Sequence, residues 1–532
     1  MTTLAGTAAL TKLAFRRDRI MLVIWVYVLT AFVASTVYAF KGLYPTAAVR
    51  IHFAVTAGRN PALLSLYGPM YGNSLGSLTA WRDAAIGGVG TGLMSIFLVI
   101  RHTRADEEAG RLELVGSAVV GRHAALATAL LVSASANLMI GVLMAAAAIA
   151  LGLPAAGSIV MAAGFAGCGL AFTGVAAVTA QIAQTARSAR GIAIGVLGAA
   201  FLLRAVGDSA SASGPRWLSW LSPMGWDELN RAFGSVRWWV IALPLASAVA
   251  LATAGAALAA RRDYDAGLLV QRAGPAAGRA WLRSPLALAW RLQRPTMIAW
   301  VAGALVYGVV IGSSAKGIGG LLGSDQVKRI VVKLGGQAGV SSAYLAAILS
   351  FSGLIAAGYA VSAILRLRSE ETDLRADPVL ATGASRTAWG LSHLVIAAAG
   401  TVAILVATGL GAGLGYGYRS GGGGAEVARL TGAGLAQAPA ALVIGGIAVA
   451  LFGLAPKASV AGSWSALGVA AAMLFLGATL QLSHWVLDVS PFQHLPKLPG
   501  GPVSVAPLVW LSLIALALGV IGLAGLRRRD IA

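Results

Sequence analysis

Residues 84–100 read AAIGGVGTGLMSIFLVI, and residues 101–114, RHTRADEEAGRLEL, follow them without a break. The first stretch carries no charge, whereas the second contains seven charged side chains of both signs. An apolar run of about 20 residues is long enough to cross the ~30 Å hydrocarbon core of a bilayer as a helix. This boundary therefore predicts a membrane-spanning helix that ends in a charged segment at one membrane face.

The whole chain repeats this alternation. Its 532 residues are 58% hydrophobic and 11% charged, with a mean hydropathy of +0.79, which is far more apolar than a soluble domain. The sequence predicts an all-α polytopic membrane protein with twelve transmembrane helices. The twelve apolar runs are 20–40, 84–100, 124–151, 157–180, 192–206, 238–260, 296–311, 343–365, 387–415, 435–454, 460–482 and 506–526.

The basic residues are distributed unevenly over the segments that join these runs. With a cytoplasmic N-terminus, 25 of the 40 Lys and Arg residues lie in inner segments, 14 lie in outer segments, and Arg204 lies within a run. This bias follows the positive-inside rule. We therefore expect a multi-pass protein of the cell membrane with both termini in the cytoplasm. The net charge of +21 is expected to face membrane lipids rather than nucleic acid.

The chain contains an internal duplication. Leu13 to Trp25 matches Leu288 to Trp300 in five identical residues without a gap. The charged segment recurs as RLRSEETDLRAD at 366–377, where Glu370-Glu371 matches Glu107-Glu108 and one residue is inserted before the next shared arginine. Matches in the same order indicate a repeat, and six spans per half make the two halves parallel. The predicted domains are 1–281, with a cytoplasmic linker from 261, and 282–532.

A twelve-span chain with a parallel duplication could be a secondary carrier or the membrane part of an ATP-driven pump. No residue pattern in this chain supplies the energy for either one. The chain contains no G-x-x-x-x-G-K-[ST] phosphate-binding motif. None of its nineteen acids falls within a predicted run, where the relays of ion-coupled carriers lie. Its six histidines and its one cysteine lack metal-ligand spacing. We therefore expect no catalytic residue, no metal and no cofactor in this chain, and a separate ATPase on the cytoplasmic face.

The segment 101–114 suits docking of such a partner. Read as a helix, it places Arg104–Glu108 and Glu107–Arg111 at i,i+4, a spacing that supports a short exposed helix. The alternative is a solvated loop of mixed charge. The recurrence of the segment in the second half favours a coupling helix.

At these residues the chain resembles a known family. RHTRADEEAGRLEL at 101–114, LSPMGW at 221–226 and RDYDAGLL at 262–269 are similar to actinobacterial ABC transporter permeases of the polyketide-antibiotic and multidrug exporters, which are ABC-2 (type V) exporters. The resemblance implies a permease that exports hydrophobic or amphipathic compounds. It also implies two fused six-helix domains, two copies of a separate ATPase that binds ATP and Mg, and amphipathic elbow helices at 10–19 and 284–294.

The resemblance also assigns roles to residues. The ATPase contact falls on Glu107, Glu108, Gly110, Arg111 and Glu113, and in the second half on Glu370, Glu371 and Asp373. A substrate cavity is expected between the two halves, lined by their second and fifth spans, at 84–100, 192–206, 343–365 and 460–482. Large, adaptable apolar side chains suit such a cavity: Met94, Phe97, Phe201, Phe351, Tyr359, Met473 and Phe475.

Two other functions stay open. A flippase of lipids or cell-envelope precursors would have the same fold. A proton-coupled drug antiporter would require an acid within the membrane.

Overall fold

The computed structural model describes residues 3–58, 61–116, 119–209, 214–262, 266–268, 278, 280–315, 340–420, 422–476 and 483–529. Within these ranges the chain forms helices and no strands. Eleven of the helices are long and apolar enough to cross a membrane. The chain is therefore an all-helical, multi-pass membrane protein, as the sequence predicts.

The chain divides into two compact units, Met1–Gly274 and Pro275–Ala532. The helices of unit 1 are α1 (Thr7–Leu43), α2 (Ala47–Ala57), α3 (Pro61–Tyr67), α4 (Leu75–Ile100), α5 (Asp106–Glu108), α6 (Arg111–Gly116), α7 (Ala124–Ala150), α8 (Ala155–Ile182), α9 (Ala186–Ser209), α10 (Pro223–Leu229) and α11 (Ala242–Ala259). Helix α8 contacts α4, α7, α9 and α11, and it forms the centre of the bundle.

The helices of unit 2 are α12 (Pro285–Ala315), α13 (Val340–Thr372), α14 (Ala376–Ala381), α15 (Arg386–Ser420), α16 (Gly423–Leu435), α17 (Ala438–Leu454), α18 (Ser459–Leu476), α19 (His484–Leu487) and α20 (Val505–Arg528). Helix α15 packs along α12, and α17 packs along α20. The core of this unit consists mostly of alanine, valine, leucine and isoleucine. The predicted run 460–482 overlaps α18, whose apolar part is shorter than the eleven candidate spans, and residues 477–482 lie outside the described part of the chain.

The expected elbow helices are not separate elements. Residues 10–19 belong to α1, and residues 284–294 overlap α12, so each segment continues into its span. No glycine or proline interrupts α1 between residues 10 and 30. At 1.5 Å per residue, a helix of 37 residues is about 55 Å long, so α1 extends well beyond the ~30 Å hydrocarbon core.

The second span begins earlier than predicted. The Ser74 side chain accepts a hydrogen bond from the Ser77 backbone N–H, so α4 begins at Leu75 instead of residue 84. This start brings Asp83 into the helix, where its carboxyl is buried and accepts a hydrogen bond from the Thr36 hydroxyl of α1, at 2.9 Å. The prediction that no acid lies within a span is therefore wrong.

Glycines allow α12 and α15 to pack backbone to backbone. A Cβ added at Gly308 would lie 2.2 Å from the Thr408 carbonyl oxygen, and one at Gly312 would lie 2.1 Å from the Ala412 carbonyl oxygen. Small residues that let helix backbones approach closely are a common means of helix association in membranes. Gly303, on the same helix, has open space around it.

We expect Gly308→Ala to destabilise unit 2. The added methyl group collides with a backbone oxygen, and overpacking of this kind typically costs ~1–3 kcal/mol. The measurement is the thermal unfolding temperature of the detergent-purified protein, which should fall by several degrees. Gly303→Ala is the matched control and should leave it unchanged or slightly raised, because alanine favours helix. Equal stability of the two variants would contradict the close packing of α12 on α15.

Candidate functional site: the two charge clusters

The charged segment of unit 1 is not one regular helix. After Ile100 the chain forms a π-helical turn over Arg101–Ala105, then the single turn α5, and it reverses at Gly110, whose φ is +68°. Glycine adopts this left-handed conformation without the steric cost that a Cβ brings. Helix α6 then begins at Arg111. Because the π turn changes the helical register, residues that are four apart in sequence do not share a face here.

Glu107 is the centre of the unit 1 cluster, and it points inward. Its side chain is 1% exposed, and its two carboxylate oxygens accept hydrogen bonds from the Arg262 guanidinium at 2.9 and 2.7 Å. Arg104 Nη1 lies 3.0 Å from the same carboxylate. Paired N–H···O bonds between arginine and carboxylate fix both distance and orientation. Glu107 therefore ties the end of α4 to the chain that follows α11.

The two arginines also bind backbone. Arg104 donates to the carbonyl oxygen of Ala183 at 2.8 Å, just after α8. Arg262 donates to the Gln181 side chain at 2.8 Å and to the Ala266 carbonyl at 2.7 Å. The cluster thus joins the ends of α4, α8 and α11 through buried, charge-assisted hydrogen bonds.

A second acidic pair attaches α1 to the same cluster. Asp18, which is buried, lies 2.8 Å from His102 Nε2 and accepts from Arg101. Asp106 accepts from Arg17 Nη1 at 3.0 Å and from Arg111 Nη1 at 2.8 Å. Asp18 is a partner that charge spacing within residues 101–114 could not reveal.

The expected i,i+4 ion pairs are wrong. Arg104 bonds Glu107, and Arg111 bonds Asp106. Glu108 instead accepts a hydrogen bond from the Ala186 backbone N–H at 2.9 Å, at the first residue of α9. Of the five residues predicted for this half, Glu108, Arg111 and Glu113 are exposed, Gly110 is half-buried, and Glu107 is buried. Their contact with an ATPase stays a prediction.

Unit 2 contains a similar cluster. The Glu371 carboxylate accepts from the Arg529 guanidinium at 2.7 and 2.9 Å, and its side chain is 1% exposed. Glu370, also buried, accepts from Arg366 Nε at 2.8 Å and lies 3.5 Å from His393 Nε2. Asp373 is exposed and pairs with Arg375. Glu370 and Glu371 are therefore internal residues, and Asp373 is the surface residue of the predicted set.

The contacts of the two clusters align Glu107 with Glu371, one residue away from the sequence match of Glu107 with Glu370. Glu371 binds the arginine that follows the last span of its unit, as Glu107 does, so these two glutamates correspond. Leu374 has a φ of +55°, at the position that Gly110 occupies in unit 1. This alignment needs no inserted residue before Arg122 and Arg386. Arg386 donates to the Arg529 carbonyl at 2.6 Å, and Arg122 donates to the Arg262 carbonyl at 3.3 Å.

Arg204, the charge within the fifth predicted run, belongs to another buried cluster of unit 1. It pairs with Glu228 of α10 and donates to the carbonyl oxygens of Ser65 and Leu66 at 2.9 and 3.0 Å. Burial raises the pKa of the neighbouring Asp227 carboxyl well above its usual range, and Arg204 opposes this shift. The cluster joins α9 to the short helices α3 and α10, so Arg204 is a structural cation.

The predicted cavity residues differ in their surroundings. Met94 is fully buried in the core that α1, α4, α7 and α8 form, and Tyr359 is 1% exposed in the core of unit 2. Their side chains pack within their own unit, and their assignment to a cavity stays a prediction. The half-buried residues are Phe97, Phe201, Phe351 and Met473. The side chain of Phe475, in α18, lies outside the described part.

The chain is similar to known proteins, and one of the matches covers most of unit 2. A family model described as multidrug efflux system permease Rv1217c, C-terminal domain, matches residues 282–527. Over 528 residues, the chain is 40% identical to the multidrug efflux system permease protein Rv1217c of Mycobacterium tuberculosis (strain ATCC 25618 / H37Rv), covering 99% of this chain and 95% of that protein. The chain belongs to this multidrug efflux permease family. The resemblance predicted from residues 101–114 is thereby confirmed.

In this multidrug efflux permease, each charge cluster joins the ends of helices within its own unit. Their acids are held by arginines at both oxygens or by several donors, and they form a fixed connection between helix ends. Arg262 and Arg529 are the residues that sequence reasoning missed as part of the site. The signal was present, because Arg-Arg-Asp ends the last span of each half.

We expect Glu107→Gln to destabilise the permease strongly. Removal of one partner from a buried ion pair leaves uncompensated charge and costs ~3–5 kcal/mol. The measurements are membrane expression and thermal unfolding temperature, and both should fall. Glu113→Gln, an exposed change in the same segment, is the control and should stay near wild type. A Glu107→Gln protein as stable as the control would show that the Arg262 contact contributes little.

Proposed function

We propose that the chain is the membrane permease of an ATP-driven exporter of hydrophobic or amphipathic drugs and antibiotics. The observation that carries this proposal is the 40% identity, over 99% of the chain, to a multidrug efflux system permease protein. The many apolar helices provide a membrane path for such compounds. A flippase of lipids or cell-envelope precursors would use the same parts, and its cargo alone would differ.

We propose that the twelve predicted spans form two parallel six-helix halves of the ABC-2 (type V) exporter arrangement, at 1–281 and 282–532. The shared contacts of Glu107 and Glu371 support this arrangement, as do the matched left-handed positions Gly110 and Leu374. The excess of basic residues in the inner segments supports cytoplasmic termini at both ends. In this topology, both charge clusters lie at the cytoplasmic face.

We propose that two copies of a separate ATPase, which bind ATP and Mg, dock at the two clusters. The exposed side chains suit this contact: Glu108, Arg111 and Glu113 in unit 1, and Asp373 in unit 2. The buried glutamates suit a different task, because they hold the docking segment on the ends of the spans. Movement of the segment would thus pass to α4 and to the chain beyond α11 through Glu107.

We expect charge reversal at the docking surface, Glu113→Arg, to weaken the ATPase complex. A like-charge clash within an interface costs several kcal/mol, whereas this exposed side chain contributes little to folding. Co-purification of the ATPase, drug-stimulated ATP hydrolysis and efflux should fall together at normal membrane expression. The mass of the wild-type complex should correspond to one permease chain and two ATPase subunits.

The matched control reverses an exposed ion pair elsewhere, Glu426→Arg with Arg429→Glu in α16. This pair lies in a segment assigned to the outer face, so complex formation and efflux should not change. Normal ATPase binding by the Glu113→Arg variant would show that the segment is a solvated loop. Two permease chains in the complex would contradict the fused-halves arrangement.

A proton-coupled antiporter is the second candidate function, and one observation favours it. Asp83 is fully buried in α4, and its described hydrogen-bond partner is the Thr36 hydroxyl. A buried acid within a span is the feature that ion-coupled carriers use. The same contact equally serves to join α4 to α1, which is the role we assign to it.

We expect efflux to continue when the proton gradient is collapsed and ATP is maintained. Asp83→Asn should also retain efflux, because asparagine can accept the same hydrogen bond from Thr36 but cannot carry a proton. The measurement is efflux of a fluorescent drug from cells or vesicles with and without a protonophore. Loss of efflux under the protonophore, together with loss in Asp83→Asn, would establish the antiporter.

A further inference from the structure

An apolar groove lies on the surface of unit 1 between α1 and α7 and has a volume of about 990 Å³. Its small side chains, such as Ala31, Ala136 and Ala147, are buried or half-buried, whereas larger apolar side chains of the lining, such as Val23, Tyr27 and Leu143, are exposed. The groove is therefore shaped for a long, slender, apolar ligand.

One end of the groove is strongly basic. Phe15 and Arg19 line this groove and also an adjoining one of about 940 Å³, which Lys12 and Arg16 line as well. All three cationic side chains are exposed, and no described acid lies within ion-pair distance of them. The acid nearest in sequence, Asp18, is already bound to Arg101.

The basic side chains and the apolar groove-lining side chains of α1 lie along one continuous face of that helix. Lys12, Arg16 and Arg19 are spaced at i, i+4 and i+7, and Val23 and Tyr27 continue the same helix face. From Arg19 to Ala31 the helix rises about 18 Å. This is roughly the thickness of one leaflet, which is half of the ~30 Å hydrocarbon core.

We propose that this groove binds an anionic phospholipid of the leaflet at the N-terminal end of α1. One acyl chain lies between α1 and α7, and Lys12, Arg16 and Arg19 hold the phosphate. The complementary charge of the arginines and the phosphate favours this occupant, because guanidinium groups bind phosphate oxygens through paired hydrogen bonds. The length of the groove, close to that of one leaflet, favours a lipid that already lies in the bilayer.

Unit 2 provides a matched comparison. In the repeat, Arg291 and Arg294 on α12 correspond to Arg16 and Arg19, whereas α12 lies directly against α15. Further along α12 the backbones meet, because a Cβ at Gly411 would lie 2.3 Å from the Leu305 carbonyl oxygen and one at Gly415 would lie 2.4 Å from the Val309 carbonyl oxygen. The same charges thus lie on a helix that packs closely against its neighbour from Leu305 onward.

The test is native mass spectrometry of the full-length protein with phosphatidylglycerol or phosphatidylcholine as the added lipid. We expect the wild type to retain one phosphatidylglycerol preferentially. Arg16→Gln with Arg19→Gln should bind it at least about tenfold more weakly, because two charge-assisted contacts to phosphate are lost. Arg291→Gln with Arg294→Gln is the control, and it should bind phosphatidylglycerol as the wild type does.

A second variant tests the groove itself while the charges stay in place. Ala146→Phe, at an exposed position of the groove lining, should exclude the acyl chain and reduce retention, and Ser135→Leu serves the same purpose if the first variant does not fold. Equal loss from the two arginine pairs would overturn the proposal in favour of nonspecific attraction. Equal binding of phosphatidylcholine, or displacement of the retained lipid by a transported drug, would also overturn it.

Discussion

The paired hydrogen bonds between Glu107 and Arg262 fix the charged end of unit 1. A buried carboxylate is costly unless it is fully matched, and Glu107 meets this condition with Arg262 and Arg104. The helix contacts of the bundle are made largely by apolar side chains such as alanine, valine, leucine and methionine, which carry little directional preference. The ion pairs therefore set where α4, α8 and the chain beyond α11 end relative to one another.

The buried glutamates and the exposed residues of each charged segment differ in how firmly they are bound. A surface ion pair contributes little and yields to a partner, whereas Glu107 and Glu371 are too buried and too well bound to exchange partners. The exposed residues of α6 and the buried glutamate before it therefore have separate tasks. In the proposed complex, the exposed residues would contact the ATPase, and the buried glutamate would transmit the displacement to the spans. The same separation occurs in unit 2, where Asp373 is exposed beside Glu371.

Much of the fold could be predicted from hydropathy, because long apolar runs leave few alternatives to spanning helices. The geometry of the charged segment could not. The π turn after Ile100 and the reversal at Gly110 break the helical spacing on which the predicted i,i+4 pairs depended. The start of α4 was missed for a similar local reason, since Ser74 caps the helix ahead of the polar residues Arg82 and Asp83.

The alignment of the repeat shows where residue identity misleads. Two adjacent glutamates occur in both halves, and identity aligns Glu107 with Glu370. Partners align Glu107 with Glu371, because each binds the arginine beyond the last span of its own unit. In this alignment Asp106 corresponds to Glu370, and Gly110 corresponds to Leu374. The position keeps its left-handed conformation although leucine adopts it at a cost that glycine avoids. The contact and the backbone reversal are thus common to both units, whereas the side chain at the reversal differs between them.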